Sequence, residues 1–435
     1  MVDFDTLPNG EIDDRVRVIF KGFAVRTFEN YTVKIAVLQQ PAVFSVRIGS
    51  VEPAKDLLAR YQPGTQFQLA IGPQPAFTGF VDSQESMGDG NSSTVVISGR
   101  DILAKLHDAE FGADKSFVNV TLADLVYEVM LEAGGLGEQA LRSSNDANVI
   151  IRSGDGVTKK PGTPAKPLSL GGGSTPAGSI SEILIAGSEG AKTGAFIPGT
   201  AATYTVHAKM GDKCLDFLKK HLDKAGLMLW TDTNGDIVVS APNILQPPRY
   251  SFIRQRGQAR NVVNVLSHDF KNDTTKRCSK VVVYGRGPGR KAGKGKIRGE
   301  FVDEEMVAAG ILKTRSFRDV NVLDEAQAVK YARAKLSEIN RGSWHLTYKI
   351  KGHTAPLVGG GRGIITPDTV AQIQDDDLGL SGLFYVEAVE YNSPPTVTTI
   401  TFMRLQDCFF EKDPTIVEQV ERANTGHKRR RRRKS

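Results

Sequence analysis

Apolar and polar residues alternate with a period of two through most of the first hundred positions, the mark of strands with one buried face. The runs are Arg15-Val-Arg-Val-Ile-Phe20, Tyr31-Thr-Val-Lys-Ile-Ala-Val-Leu38, Ala42-Val-Phe-Ser-Val-Arg-Ile48, Gln66-Phe-Gln-Leu-Ala-Ile71, Phe77-Thr-Gly-Phe-Val81 and Ser93-Thr-Val-Val-Ile-Ser98. Gly, Pro and Asn punctuate them, so the region 15–100 predicts a closed or sandwiched antiparallel sheet of short strands. The same alternation returns late in the chain. It is seen at Asn261-Val-Val-Asn-Val265, Ser279-Lys-Val-Val-Val-Tyr284, Trp344-His-Leu-Thr-Tyr-Lys-Ile350 and Thr369-Val-Ala-Gln-Ile-Gln374. It continues at Leu383-Phe-Tyr-Val-Glu-Ala-Val-Glu-Tyr391 and Thr396-Val-Thr-Thr-Ile-Thr-Phe-Met403. The chain therefore reads as two copies of one small β-barrel with other elements between them.

Between the copies the period lengthens. Leu122, Leu125, Val126, Val129 and Met130 follow helical spacing after Thr121 and Asp124, a capping-box-like start, and Gly134 is placed to end the helix. Leu215, Leu218, Leu222 and Ala225 share the face of a second helix closed by Gly226. Leu227–Trp230 and Asp236–Ser240 then form a hairpin around Asp232-Thr-Asn-Gly235. A third helix is expected from about 324 to 340, with Asp324 and Gln327 at its start and Ala326, Val329, Ala332 and Leu336 as its apolar stripe. The stretch 134–200 holds 14 of the 44 glycines and a single aromatic, Phe196, too little apolar surface to order by itself. It predicts a surface insertion.

The expected fold class is α+β and multi-domain: two similar antiparallel β-barrels joined by α/β segments. A first barrel occupies 1–105. A helix-and-hairpin domain occupies 106–245, with a flexible insert at about 134–205. A second barrel occupies 246–412, its strands in about 259–290 and 343–406, with an inserted helical segment at about 300–341. Residues 413–435 form a C-terminal extension.

Charge changes the picture only at that end. Residues Lys428, Arg429, Arg430, Arg431, Arg432, Arg433 and Lys434 are consecutive bases, a candidate site for an anion or an acidic partner. Without them basic and acidic residues number 49 each, so the net charge of +7 is the tail's. No apolar run approaches the ~18 residues of a membrane span, and the start MVDFDTLPNGEIDDR has no apolar signal region. These features predict no membrane insertion and a chain made in a cytoplasm.

Few residues are arranged as chemistry would require. Cys214, Cys278 and Cys408 are far apart, without zinc spacing, and read as reduced, partly buried thiols. The seven histidines contain no HExxH pair, and no GxSxG elbow is present. His345 and His353 flank one strand and read as sheet-face residues. Two acidic clusters remain, Asp303-Glu304-Glu305 and Asp375-Asp376-Asp377. Either could hold a cation or serve a hydrolase; the first also reads as the opening of a helical turn into Met306, the second as a solvated turn. The basic glycine-rich stretch 285–299 reads as a solvated loop or an anion contact. No catalytic, cofactor or metal residue is expected.

Several segments resemble the baseplate hub proteins of phage tails, the late control protein D group, and the hub part of type VI secretion spike proteins. They are Ala76-Phe-Thr-Gly-Phe-Val-Asp82 with Val95-Val-Ile-Ser-Gly-Arg-Asp-Ile-Leu103, Gly211–Leu218 running on to Pro242, and Ser381–Val389. The resemblance covers most of 15–410; the long insert and the basic tail depart from it. It implies a non-enzymatic, homotrimeric hub whose six barrels form a ring of pseudo-sixfold symmetry in the virion. The implied partners are the hexameric tail tube protein, the trimeric central spike protein, the tape measure protein and other baseplate proteins, with DNA passing through the lumen. Two alternatives stay open: a tail-associated cell-wall hydrolase, and a nucleic-acid-binding protein acting through the Arg-rich end.

Overall fold

The computed structural model describes residues 15–133, 149–152 and 204–408, except for 26–27, 39–40, 51–52, 89–92, 121, 226, 236, 241, 256–264, 286–296, 319–321 and 323–324. The basic tail, most of the 134–205 insert and most of the 285–299 loop lie outside the described residues. So do Thr121, Gly134, Gly226, Asn261–Asn264 and Asp324, and with them the corresponding caps and strand start. The chain divides into two compact units: Met1–Asp269 with Leu346–Phe402, and Phe270–His345 with Met403–Ser435.

In the first unit the alternating runs are strands, with helices where the pattern breaks. In chain order they are β1 (Val16–Phe20), β2 (Phe23–Val25), β3 (Asn30–Ala36), β4 (Val43–Ser50), α1 (Ala54–Arg60), β5 (Gln66–Ile71), β6 (Gln74–Gly88) and β7 (Ser93–Arg100). The intervening part comprises α2 (Leu103–Asp108), β8 (Lys115–Val120), α3 (Leu122–Ala133), β9 (Val149–Arg152), β10 (Tyr204–Ala208), α4 (Cys214–Ala225), β11 (Met228–Thr231) and β12 (Ile237–Ser240). Then come β13 (Tyr250–Arg254) and β14 (Val265–Asn272). The second unit inserts β15 (Lys280–Tyr284), β16 (Arg298–Val302), α5 (Glu304–Ala308), β17 (Thr314–Arg318) and α6 (Glu325–Arg341). The chain closes with β18 (Trp344–Lys351), β19 (Thr354–Pro356), β20 (Arg362–Ile364), β21 (Thr369–Asp375), β22 (Leu380–Ser393) and β23 (Val397–Arg404).

The architecture is mostly β. The expected α+β pair of closed barrels is not what the hydrogen bonds draw: among the described residues no sheet closes on itself. One 13-stranded sheet runs β14-β18-β23-β22-β3-β4-β7-β6-β5-β1-β2, with β21 pairing β22 and β13. Strands from both halves of the sequence are thus joined edge to edge, through β22 and β3. A free strand edge carries unpaired N–H and C=O groups, and here each half supplies the partner the other needs.

The core of the early strands is aromatic: the rings of Phe44 and Phe67 stack at 3.8 Å between centroids, with Phe20 and Phe77 beside Phe67. The late strands use Phe252, Tyr348 and Phe402 in edge contacts of 5.4–6.3 Å. Between them, α2, α3 and α4 bury Leu106, Leu125, Val126, Val129, Met130, Leu215, Leu218 and Leu222 against the hairpin β11–β12. The apolar stripes read from the sequence are core, as expected of amphipathic helices.

Four details differ from the sequence reading. Val149–Arg152, inside the expected loose insert, is a strand that pairs parallel with β12; its Val-Ile-Ile run has the β-branched character that fits a pleated edge. β15, expected in the second barrel, lies instead in a separate sheet ordered β16-β15-β17. The 300–341 segment is therefore strand as well as helix. Finally, the buried face of α6 is Ala328, Ala332 and Leu336, with Tyr331 and Ile339 packed against it, over Cys278, Val281 and Val283. Ala326 and Val329 face outward. The buried positions step by four, the ridge on which a helix packs.

Candidate functional site

The strongest functional feature is a repetition of backbone pattern. The strands β3-β4-β7-β6-β5 follow one another across the sheet in the order in which β14-β18-β23-β22-β21 do. Each set is traversed by the chain in the same succession: β3, β4, β5, β6, β7 and β14, β18, β21, β22, β23. The correspondence reaches single hydrogen bonds. Gly64 N–H donates to the Val81 carbonyl at 2.7 Å, and Asp368 N–H donates to the Val386 carbonyl at 3.1 Å. Gly64 has φ +83° and Asp368 φ +56°, so both corners use the left-handed region, rare outside glycine. Each is followed by a buried threonine, Thr65 or Thr369. The two sets differ at their flank: β1 pairs β5 antiparallel, whereas β13 pairs β21 parallel.

The Ser-Gly-Arg-Asp segment holds the corner where β7 turns into α2. A Cβ at Gly99 would sit 1.9 Å from the Phe80 carbonyl oxygen and 2.6 Å from the Phe44 ring, so only glycine fits. Arg100 pairs with Asp82 at 2.5 Å and with Asp108 at 2.6 Å. Its guanidinium holds the Asp108 carboxyl down at about 2. Asp101 is buried and accepts from Ala42 N–H at 3.1 Å, Leu103 N–H at 3.1 Å and the Thr231 hydroxyl at 2.7 Å. One carboxylate thus ties the start of β4, the first turn of α2 and β11. Burial pushes it up to about 6 against those bonds.

The join between the halves has its own polar core. The Tyr31 hydroxyl meets His353 Nε2 at 2.5 Å, and His353 Nδ1 meets the Thr398 hydroxyl at 2.8 Å. Tyr391 packs edge-on to the imidazole at 5.1 Å. Burial lowers His353 to about 4, keeping it neutral. His345, the other histidine expected on a sheet face, is exposed.

The two acidic clusters serve structure. Asp303 caps α5 by accepting from Met306 N–H at 3.3 Å, as the helical-turn reading expects. It also accepts from the fully buried Arg277 at 2.8 Å and from Asn340 at 3.1 Å. Glu305 binds Arg277 and Arg404, each at 2.8 Å, and these cations hold its carboxyl down at about 2. Asp375 is buried; it accepts the Tyr348 hydroxyl at 2.7 Å and the backbone N–H groups of Asp377 and Leu378 at 3.0 and 3.1 Å. Asp377 pairs with Arg254 at 2.8 Å. A carboxylate folded into its own turn in this way is a corner, as the solvated-turn reading has it, though Asp375 itself is not solvated. Cys214, Cys278 and Cys408 are buried and form no disulfide, and burial pushes the Cys214 thiol up to about 11. Among the described residues no three His, Cys, Asp or Glu side chains gather as a metal site would require, and no helix is long and apolar enough to cross a membrane. The basic residues Lys428–Lys434 lie outside the described residues.

Sequence reasoning misses the second half of β6. Its residues Ser83–Gly88 continue the strand past Val81 without apolar alternation; the turn residues Gly88-Asp89-Gly90 were the available signal.

Fold and clusters describe a β-rich protein built on a repeated strand unit, with Asp101, Asp303 and Asp375 committed to corners and turns. Residues 15–101 match the family described as Mu phage baseplate assembly protein GpP-like, N-terminal domain. The resemblance to phage baseplate proteins read from the sequence therefore holds for that domain. The fold is that of solved tail proteins. The 43 kDa tail protein of prophage MuSo2 from Shewanella oneidensis matches with TM-score 0.62 and 16% identity, over 91% of this chain and 99% of that one. The tail protein from Neisseria meningitidis MC58 matches with TM-score 0.63 and 17% identity, over 90% and 98%. A type VI secretion component of E. coli matches more distantly, with TM-score 0.46 and 8% identity over 89% and 76%. No curated protein matches the sequence.

Proposed function

We propose that this protein is a structural hub in the baseplate of a phage or phage-like tail, in which three copies form a ring of pseudo-sixfold symmetry. The observation that carries this reading is the repeated strand order, β3-β4-β7-β6-β5 and β14-β18-β23-β22-β21, within one chain. A chain with two equivalent strand sets can meet a threefold partner as three subunits and a sixfold partner as six units. That is the geometry needed between a hexameric tail tube and a trimeric spike, and contacts of this kind close only as a ring. The GpP-like match over residues 15–101 supports the baseplate setting. The tube protein, the spike protein, the tape measure protein and neighbouring baseplate proteins are the proposed partners, with DNA passing through the lumen. The role is non-catalytic: Asp303 and Asp375, the acids a hydrolase would call on, are bound by Arg277 and Tyr348.

The test is the mass of the purified protein in solution, with negative-stain images. The expected result is a species three times 47.2 kDa that appears as a six-lobed ring with a central hole. A chain that stays monomeric alone and also when mixed with its tube and spike proteins would sink the proposal.

A further inference from the structure

The repetition within one chain also says where two chains would join. Inside the chain, one edge of β22 takes two partners in succession: Leu380–Val386 pair with β21, and Ala388–Ser393 pair antiparallel with β3. β6 is the counterpart of β22. The same edge of β6 pairs with β5 through Gln74–Phe80 and is met at Val81 by Gly64 and Thr65. Beyond that point, Ser83–Gly88 pair only with β7 among the described residues. Among the described residues the edge on which β22 receives β3 is therefore without a partner strand on β6. The counterpart of β3 is β14, and β14 is the last strand of the sheet, paired only with β18 among the described residues. Among the described residues one chain thus offers one unpaired acceptor edge and one unpaired donor strand, and these are the two halves of the junction it already makes once.

We propose that the open edge Ser83–Gly88 of one copy receives β14, over Val265–Asp269, of a second copy, by antiparallel strand addition that repeats the β22–β3 junction. This deepens the ring reading and rests on it. The side chains fit. Met87 and Leu266 are large apolar residues left 54% and 59% exposed on these two strands. At the internal junction polar side chains meet across the strands: Thr32 donates to Asn392 at 2.9 Å, and Glu390 stands opposite Lys34. Glu85 is the counterpart of Glu390, five positions beyond Phe80 as Glu390 is five beyond Tyr385. A long edge with exposed apolar side chains invites pairing with another chain, and strand addition supplies affinity through main-chain hydrogen bonds. The contact is heterologous, so it does not stop at a pair, and with the threefold closure of the proposed ring it runs from copy to copy around it.

The experiment is disulfide trapping on the full chain. Glu85→Cys is combined in turn with Ser267→Cys and Asp269→Cys; all three positions are exposed, and the native thiols are buried. Directly opposed residues of an antiparallel pair stand about 4.5–5.5 Å apart at Cβ, within reach of a disulfide. The expected result is covalent trimers on a non-reducing gel for at least one double variant, with every single variant running as a monomer. As a second measurement, Glu85→Lys with Met87→Lys should raise the concentration at which the ring forms by roughly tenfold or more, with an unchanged melting curve. If the reduced protein has trimer mass but neither double variant cross-links and the lysine variant assembles normally, the edge assignment is wrong and the ring stands. Cross-linked dimers from Glu85→Cys alone would also overturn it, since they require β6 against β6. A chain that is monomeric, alone and with tube and spike proteins, overturns the ring and the edges together.

Discussion

Asp101 and His353 are buried ionisable groups with opposite effects on stability against pH. Asp101 is raised from 3.8 to about 6 by burial, so the fold favours its protonated form. Its contribution is complete below pH 3.8 and is lost as pH rises through 6. His353 is lowered from 6.5 to about 4, again by burial, so the fold favours its neutral form. That contribution is complete above pH 6.5 and is lost as pH falls through 4. Each effect is on the order of 3 kcal/mol, and in the shared window they oppose each other in the native protein. Single substitutions separate them. Thermal melts from pH 4 to 7 should show Asp101→Asn losing the part of the slope that falls with rising pH. His353→Gln should lose the part that falls with acidification. Curves parallel to the native one for both variants would mean that neither group's ionisation is coupled to folding. Below pH 4 the curve belongs to carboxyls such as Glu305, held down by Arg277 and Arg404, whose contribution goes as they protonate.

At the scale of elements, the test of the packing is α6. Ala332→Lys puts an ammonium into the cluster of Cys278, Val281 and Val283 and should cost about 3 kcal/mol or more. Val329→Lys should stay within about 0.5 kcal/mol, because that side chain already faces outward. Urea unfolding followed through the buried Trp344 distinguishes the two; equal losses would restore the stripe read from the sequence. That misreading has a physical source. Ala326, Ala328, Ala332 and Ala334 lie on several faces of α6, and alanine marks a buried face weakly. Where the stripe is Leu, Val and Met, as on α3 and α4, periodicity alone locates the core. The strands are legible for the same reason, and the acidic clusters are legible as turns. Three things are not. The outer half of β6 pairs by backbone and carries no apolar alternation. The sheet to which Val281-Val-Val283 belongs cannot be read from a run that suits any sheet. The Tyr31–His353 contact joins residues 322 positions apart, and no local pattern reports it.

For the whole molecule the remaining question is whether the basic tail belongs to assembly or to something the assembly touches. The charge arithmetic separates the two. Outside Lys428–Lys434 the chain is balanced, with 49 acidic residues against as many basic ones, so the rest of the chain offers a polyanion no net attraction. The elements of the repeated junction, β3, β6, β14 and β22, all lie before residue 394, and none of them needs the tail. Deleting residues 427–435 should therefore leave solution mass and melting temperature unchanged. It should also abolish the salt-sensitive part of binding to a short DNA duplex. With the tail present, log K should fall linearly with log salt, with a slope of magnitude up to about 6 if every base contacts a phosphate. With it removed, the slope should approach zero. A deletion that lowers the mass to that of a monomer would place the tail in the ring contact itself, and the strand edges alone would then be insufficient to close it.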